Sequence, residues 1–176
     1  SIFYPMWNEE EYVERALVAG RRACEQLVRS GDIGDYELIV VDDCSTDRTA
    51  NLVRQFAQVD PRIRLLRHDT NRGVAAARNS GIDAAAGEYV AFVDSDVVVP
   101  PGWLSGLVGH FADPRTAAVA PRVRAAVGGT GLLARYAAAR GPLDLGAREA
   151  RVRPGGRVPY VPSAALVVRR EALTAA

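Results

Sequence analysis

Gly87-Glu88-Tyr89-Val90-Ala91-Phe92-Val93-Asp94-Ser95-Asp96 is a short apolar run that ends in two carboxylates. Residues 89–93 are too few for a packed helix and are continuously apolar, so they read as a buried strand. Asp94 and Asp96 then stand two residues apart. At a strand-to-turn junction such a pair can converge on a cation that prefers oxygen ligands. As a bare pattern, two aspartates around one residue are common, and they serve equally well as a polar turn that ends a strand. Their neighbours have to decide between the two.

Upstream, the same arrangement recurs. Leu38-Ile39-Val40-Val41 is an apolar run followed by Asp42-Asp43, and Ile2-Phe3-Tyr4-Pro5 is followed shortly by Asn8-Glu9. Pro5 lacks an amide hydrogen and is expected at the end of its strand. Helical spacing covers residues 9–29, with Val13, Leu17, Cys24 and Leu27 on one face. Ser45 or Thr46 is expected to cap a helix that turns Leu52, Val53 and Phe56 inward until Pro61. Residues 63–66 read as a strand, 73–86 as an Ala-rich helix, 103–111 as a short helix introduced by Pro101, and 117–123 as a further strand. Later, 132–139 reads as helix, 148–157 as an Arg-rich loop and 160–168 as a strand.

This alternation predicts an α/β, Rossmann-like, mostly parallel sheet flanked by helices. Right-handed crossovers put the strand C-termini on one edge, where open α/β sheets bind ligands. Asn8-Glu9, Asp42-Asp43 and Asp94-Ser95-Asp96 all fall on that edge. An acid after the second strand can accept hydrogen bonds from a base imide or a ribose hydroxyl, or else cap a helix. Asp43 is favoured for ligand contact and Asp42 for support. Arg78, near a helix start at Asn71-Arg72-Gly73, can bind phosphate or form an ordinary salt bridge. Arg72 is expected at the surface. His68 and His110 read as surface or partly packed residues, and Trp7 and Trp103 as packing residues, although Trp7 lies beside the proposed edge. Cys44 has no adjacent histidine to make it a nucleophile.

Composition narrows the classes. The chain has 176 residues, 48% of them apolar and 24% charged, which is enough for one domain with a core. A formal net charge of +1 gives no case for nucleic-acid binding. Cys24 and Cys44 form no disulfide or metal pattern, which favours a reducing compartment such as the cytoplasm. No apolar run approaches the roughly 18–20 residues that cross a bilayer. Arg140, Arg148, Arg151, Arg153 and Arg157 read first as a solvated loop. The alternative is peripheral contact with an anionic acceptor or with the inner face of the membrane.

Four segments together resemble the inverting glycosyltransferase family 2, which has a GT-A fold. They are Pro5-Met6-Trp7-Asn8-Glu9-Glu10, Val41-Asp42-Asp43-Cys44-Ser45-Thr46-Asp47, Asn71-Arg72-Gly73 running to Ala77-Arg78-Asn79-Ser80-Gly81, and residues 87–96. The resemblance is clear over residues 1–123. The opening is similar to polyprenyl-phosphate sugar transferases, and the stretch from Val93 to Leu173 to the glycosyltransferase of mycofactocin biosynthesis. The resemblance implies one partial catalytic domain over 1–176, with a nucleotide-sugar-binding core at 1–123 and the start of an acceptor-side region at 124–176.

It also implies roles. Glu9 resembles the acid that lines the nucleoside pocket, Asp43 the one that recognises the base, and Arg78 the arginine near the nucleotide. Asp94 resembles the aspartate turned toward ribose and diphosphate, and Asp96 the metal ligand, with Mn²⁺ or Mg²⁺ as cofactor. Pro5, Asn8 and Ser95 complete the implied nucleotide-sugar set. Cys44 stands where the family commonly has glycine, and Val97 where many members have another acid. The implied reaction moves a sugar from a UDP- or GDP-linked donor, with inversion, to a hydroxyl or phosphate. The acceptor class is a lipid phosphate or a peptide-derived small molecule. The general base is implied in a later segment, past a Gly-Gly-Phe-Asp-like loop. Glu171 sits too early for that role, so the resemblance implies truncation at the C-terminus. A nucleotide-sugar-binding module without transfer is the alternative. A sugar-phosphate nucleotidyltransferase would want a Gly-rich basic loop after the first strand, and Pro5 to Glu10 is not one.

Overall fold

In a computed structural model of the chain, the structure describes residues 1–126, 131, 132, 136, 141 and 143–174. In chain order these form β1 (Ile2–Met6), α1 (Val13–Ser30), β2 (Leu38–Asp42), α2 (Thr49–Val59), β3 (Ile63–Arg67), α3 (Val74–Ala84), β4 (Tyr89–Val93) and α4 (Ser105–Val108). A 3₁₀ turn (Gly109–Ala112), β5 (Ala118–Val119), β6 (Ala165–Arg169) and α5 (Arg170–Thr174) follow. The expected helix over 132–139 lies largely outside the described residues.

One six-stranded sheet runs in the order β3-β2-β1-β4-β6-β5. The pairs β1–β2, β2–β3 and β1–β4 are parallel, whereas β6 pairs antiparallel with β4 and with β5. The expected α/β sheet is therefore present, mostly parallel, and it is completed by a strand from the late region. The expected strand at 117–123 is confined to Ala118–Val119, paired with Val168 and Val167. The late strand begins at Ala165, not at residue 160.

β2 is buried along its whole length, because it lies inside the sheet with helices over both faces. Burying each such aliphatic side chain stabilises by about 1.5–3 kcal/mol. One core layer contains Tyr4, Val13, Leu17, Leu38 and Val53, and the other Phe3, Ile39, Val41, Ala77 and Phe92. In the second layer Gly81 of α3 lies directly on Phe3, so that a Cβ added there would sit 2.5 Å from the ring.

Pro5 lies within β1 and not at its end, a correction explained by the pairing. β1 follows β2 through Met6, but its pairing with β4 covers only Ile2 and Phe3. Pro5 is beyond that point, where the strands separate and no amide hydrogen is required of it. The chain order also reverses between β1 and β4. This is the switch point at which open α/β sheets leave a crevice for ligands. Among the described residues, no helix is long and apolar enough to cross a membrane.

Candidate active site at the C-terminal edge of the sheet

Two loops at this edge are sewn together. The Asn8 N–H donates to Ser45 Oγ at 2.9 Å, and Asn8 Oδ1 accepts from the Thr46 N–H at 2.8 Å. Glu9 N–H donates to Thr49 Oγ1 at 2.9 Å and Glu10 N–H to Asp47 Oδ2 at 3.1 Å. Arg48 N–H returns a bond to Glu10 Oε2 at 3.0 Å. Asn8 adopts a left-handed φ of 56°, which asparagine tolerates better than most residues. Neither Ser45 nor Thr46 caps α2, because both face Asn8. Asp47 Oδ1 accepts the Thr49 N–H at 2.9 Å instead.

The stitched loop presents Glu9 to the end of β4. Burial is the main cause that raises the Glu9 carboxyl above its ordinary value. A hydrogen bond with Ser95 opposes the rise, and the negative charges of Asp96, Asp47 and Asp94 add to it. Glu9, Asp94, Ser95 and Asp96 are thus one electrostatic neighbourhood, as the sequence predicts. Ser95 is buried and Asp96 exposed. The turn is anchored on both sides. Asp94 N–H donates to the Ala164 carbonyl at 3.0 Å, and Arg15 Nη2 of α1 donates to the Asp96 carbonyl at 3.3 Å. Arg78, from α3, donates through Nη2 to Asp94 Oδ1 at 3.0 Å. Arg78 thus forms the ordinary salt bridge of its two expected roles, and its partner is Asp94 at the end of β4.

Asp43 occupies the same edge but faces α3. Its Oδ1 lies 2.6 Å from His68 Nδ1 and accepts the Arg72 N–H at 2.9 Å, while Oδ2 accepts the Gly73 N–H at 2.7 Å. Burial pushes its carboxyl up, but the bonds from Arg72, His68 and Gly73 outweigh burial and hold it below the ordinary value. These three bonds leave roughly one of about four acceptor positions for a further partner. Asp42 is fully buried, with Oδ1 accepting the Ser45 N–H and Oδ2 lying 3.1 Å from Arg67 Nε, which makes it the supporting member of the pair.

Some residues stand elsewhere than expected. His68 is buried, and it touches both Asp43 and, at 2.9 Å through Nε2, Ser80 Oγ. A lone histidine between strand and loop gives no sign of this, because its partners come from the loop after β2 and from α3. Trp7 is not a packing residue: 55% of it is exposed beside the site. Trp103 is buried, as expected, and Arg72 has an exposed side chain. Cys44 holds φ at 64°, a backbone state that favours glycine.

Chemically, the charges of Asp94 and Asp96 add to burial in raising the Glu9 carboxyl, and carboxylate oxygens are the kind of ligand a divalent cation takes. Asp96 and the free oxygen of Asp94 are the candidate ligands. Among the described residues, however, no group of three or more His, Cys, Asp or Glu is already arranged to hold a metal ion.

The sequence profile of Glycosyl transferase family 2 matches residues 1–174. The pre-mycofactocin glycosyltransferase of Mycobacterium tuberculosis is 47% identical over 136 residues, which cover 77% of this chain and 28% of that protein. This span is longer than the stretch from Val93 to Leu173, so the likeness reaches into the first half. The succinoglycan biosynthesis protein ExoO of Rhizobium meliloti is 48% identical over 98 residues, covering 52% of this chain and 28% of that one. Among solved structures, the mannosyltransferase PcManGT from Pyrobaculum calidifontis, in complex with GDP-Man and Mn²⁺, superposes with a TM-score of 0.69 at 25% identity. The match covers 99% of this chain and 45% of that one. S. aureus TarS 1-349 in complex with UDP-GlcNAc gives 0.57 at 26% identity, covering 74% and 36%. The chain thus spans less than half the length of each of these relatives. With its mixed sheet, its edge loops and a profile match along nearly its entire length, the chain is a GT-A-fold member of glycosyl transferase family 2.

Proposed function

We propose that this chain binds a nucleoside-diphosphate sugar at the β1/β4 switch point, as the donor half of an inverting, metal-assisted glycosyltransferase. The observation that carries the proposal is the convergence of Glu9 with Asp94, Ser95 and Asp96 where β1 and β4 separate, with Arg78 joined to Asp94. Asp43 and the exposed indole of Trp7 bracket the nucleoside end, offering an acceptor oxygen and a stacking face. Asn8, bonded to the Ser45–Thr46 loop, and Pro5, near the end of β1, belong to the same edge. Arg78 supplies fixed positive charge beside the diphosphate, where charge develops as the sugar leaves. Asp96 and Asp94 would hold Mn²⁺ or Mg²⁺, which when bound adds charge stabilisation for the departing nucleoside diphosphate. The partners implied are a UDP- or GDP-linked sugar and an acceptor bearing a hydroxyl or phosphate, on a lipid phosphate or a peptide-derived small molecule.

Calorimetric titration with UDP, GDP and their sugar conjugates, with and without Mn²⁺, tests this. Binding of one nucleotide class, strengthened by the metal, is expected. If neither nucleotide binds in the presence of Mn²⁺, the donor assignment is wrong. A transfer assay comparing this chain with a version extended past residue 176 separates the alternative of a binding module without transfer. Turnover confined to the extended version places the base outside these residues.

A further inference from the structure

We infer that His68 is a positioning residue for Asp43, and that through Ser80 it ties the nucleoside-side acid to the same helix that grips the diphosphate-side acid. This rests on the assignment of Asp43 to the nucleoside. Asp43 accepts two backbone N–H bonds besides its contact with His68, so it acts as an ionised acceptor and His68 Nδ1 is the donor at 2.6 Å. Nε2 lies 2.9 Å from the Ser80 hydroxyl, which can donate to the ring or accept from it. The ring is buried, and both its nitrogens are taken, so it has one orientation. Charge-assisted bonds of this kind fix a carboxylate more firmly than neutral ones do.

The placement of Ser80 gives the chain of bonds its meaning. Ser80 is two residues from Arg78 on α3, and Arg78 holds Asp94 at 3.0 Å. Asp43 also accepts the Arg72 and Gly73 N–H groups at the start of that helix. The loop that leads into α3 is therefore bonded to Asp43 directly, while α3 itself reaches Asp43 through Ser80 and His68 and holds Asp94 through Arg78. Any buried imidazole needs partners for its ring nitrogens; what marks this one is that its partners are the nucleoside-side acid and the helix that carries Arg78. This one sets the angle at which Asp43 meets a base, and so contributes to base affinity without touching the ligand.

The test measures calorimetric binding of UDP, GDP and inorganic pyrophosphate with Mg²⁺ to the unaltered protein, D43N, H68L, H68Q and S80A. D43N is expected to weaken the preferred nucleotide about tenfold or more and to leave pyrophosphate unchanged. H68L should reproduce about tenfold of that loss, again sparing pyrophosphate. H68Q, whose amide can donate to Asp43, should return to within about threefold, and S80A should lose about threefold. If D43N binds nucleotide normally, the assignment of Asp43 fails and the positioning role goes with it. If D43N is weakened but H68L is not, only the role of His68 fails. Equal losses on nucleotide and pyrophosphate make His68 a general scaffold residue and overturn the inference. Should H68L not fold, S80A decides: a selective loss supports the relay, and unchanged binding refutes it.

Discussion

Arg78 of α3 and Asp94 at the end of β4 are joined by a 3.0 Å bond from Nη2 to Oδ1, with both side chains about one-third exposed or less. A pair this accessible contributes only about 0–1 kcal/mol to stability, and under the proposed function Arg78 serves ligand binding instead. Arg78→Ala should weaken nucleoside-diphosphate binding about 10–100-fold, because a charge-assisted bond to phosphate is lost. Its melting temperature should stay near that of the unaltered protein. Calorimetry and a thermal melt check both halves, and normal affinity would return Arg78 to a structural role.

Asp96→Ala should remove most of the gain in nucleotide affinity that Mn²⁺ gives, and being exposed the residue should change stability by no more than about 0.5 kcal/mol. A second readout needs no nucleotide. Added Mg²⁺ should lower the Glu9 carboxyl, now raised by burial and by its acidic neighbours, toward or below its ordinary value. Carbon-13 NMR titration of Glu9 measures this. A Glu9 midpoint indifferent to Mg²⁺ would place the ion elsewhere.

Acid should unfold the protein partly through Asp43. Its folded value lies below the ordinary 3.8. The stability it contributes is therefore complete above that value, and it is lost as pH falls through the lower, folded one. Glu9 has the opposite sign. Its folded value is raised, so lowering the pH through it favours the folded state until the unfolded value is passed. Urea unfolding from pH 6 to pH 2 should show a shallower loss below about pH 4 in Asp43→Asn than in the unaltered protein.

Cys44 holds a left-handed φ of 64° and bonds only weakly, through Sγ to the Asp69 carbonyl at 3.4 Å. Left-handed backbone costs a residue with a side chain about 1–2 kcal/mol, whereas glycine returns about 0.4–1 kcal/mol of this as unfolded-chain entropy. Cys44→Gly should therefore leave stability unchanged or raise it by up to about 1 kcal/mol. Cys44→Val should lower it by about 2 kcal/mol, since β-branched residues suit this region least. Urea unfolding orders the three, and a stability order of Val above Gly would contradict the assigned backbone state.

Much of this was legible in the sequence because each of the three deciding groups closes an apolar run. Residues 38–41 and 89–93 carry a strand signal, and polar residues that follow a strand must fall on its C-terminal edge. That logic places Glu9 beside Asp96 without coordinates. It fails where partners come from separate elements. Nothing near His68 announces Asp43 or Ser80, and only the β2–β3 register, which pairs Asp42 with Arg67, shows why Asp42 is supporting. The missing amide hydrogen of Pro5 predicts a strand end, since a strand paired on both sides along its length would use that donor. β1 has its β4 neighbour only at Ile2 and Phe3. Ser45 and Thr46 have the chemistry of helix caps, but Asn8, distant in sequence, uses them first.

α3 rests on Phe3 at Gly81, with an aromatic ring where a side chain would otherwise intervene. Its height above the sheet is therefore governed by an oil-like bearing well below the polar chemistry. Enlarging that bearing tilts the lever that holds both acids, so the two ends of the donor would loosen in concert. On the proposed donor assignment, selection for a different base or a different cation thus has little freedom to proceed through this helix one end at a time.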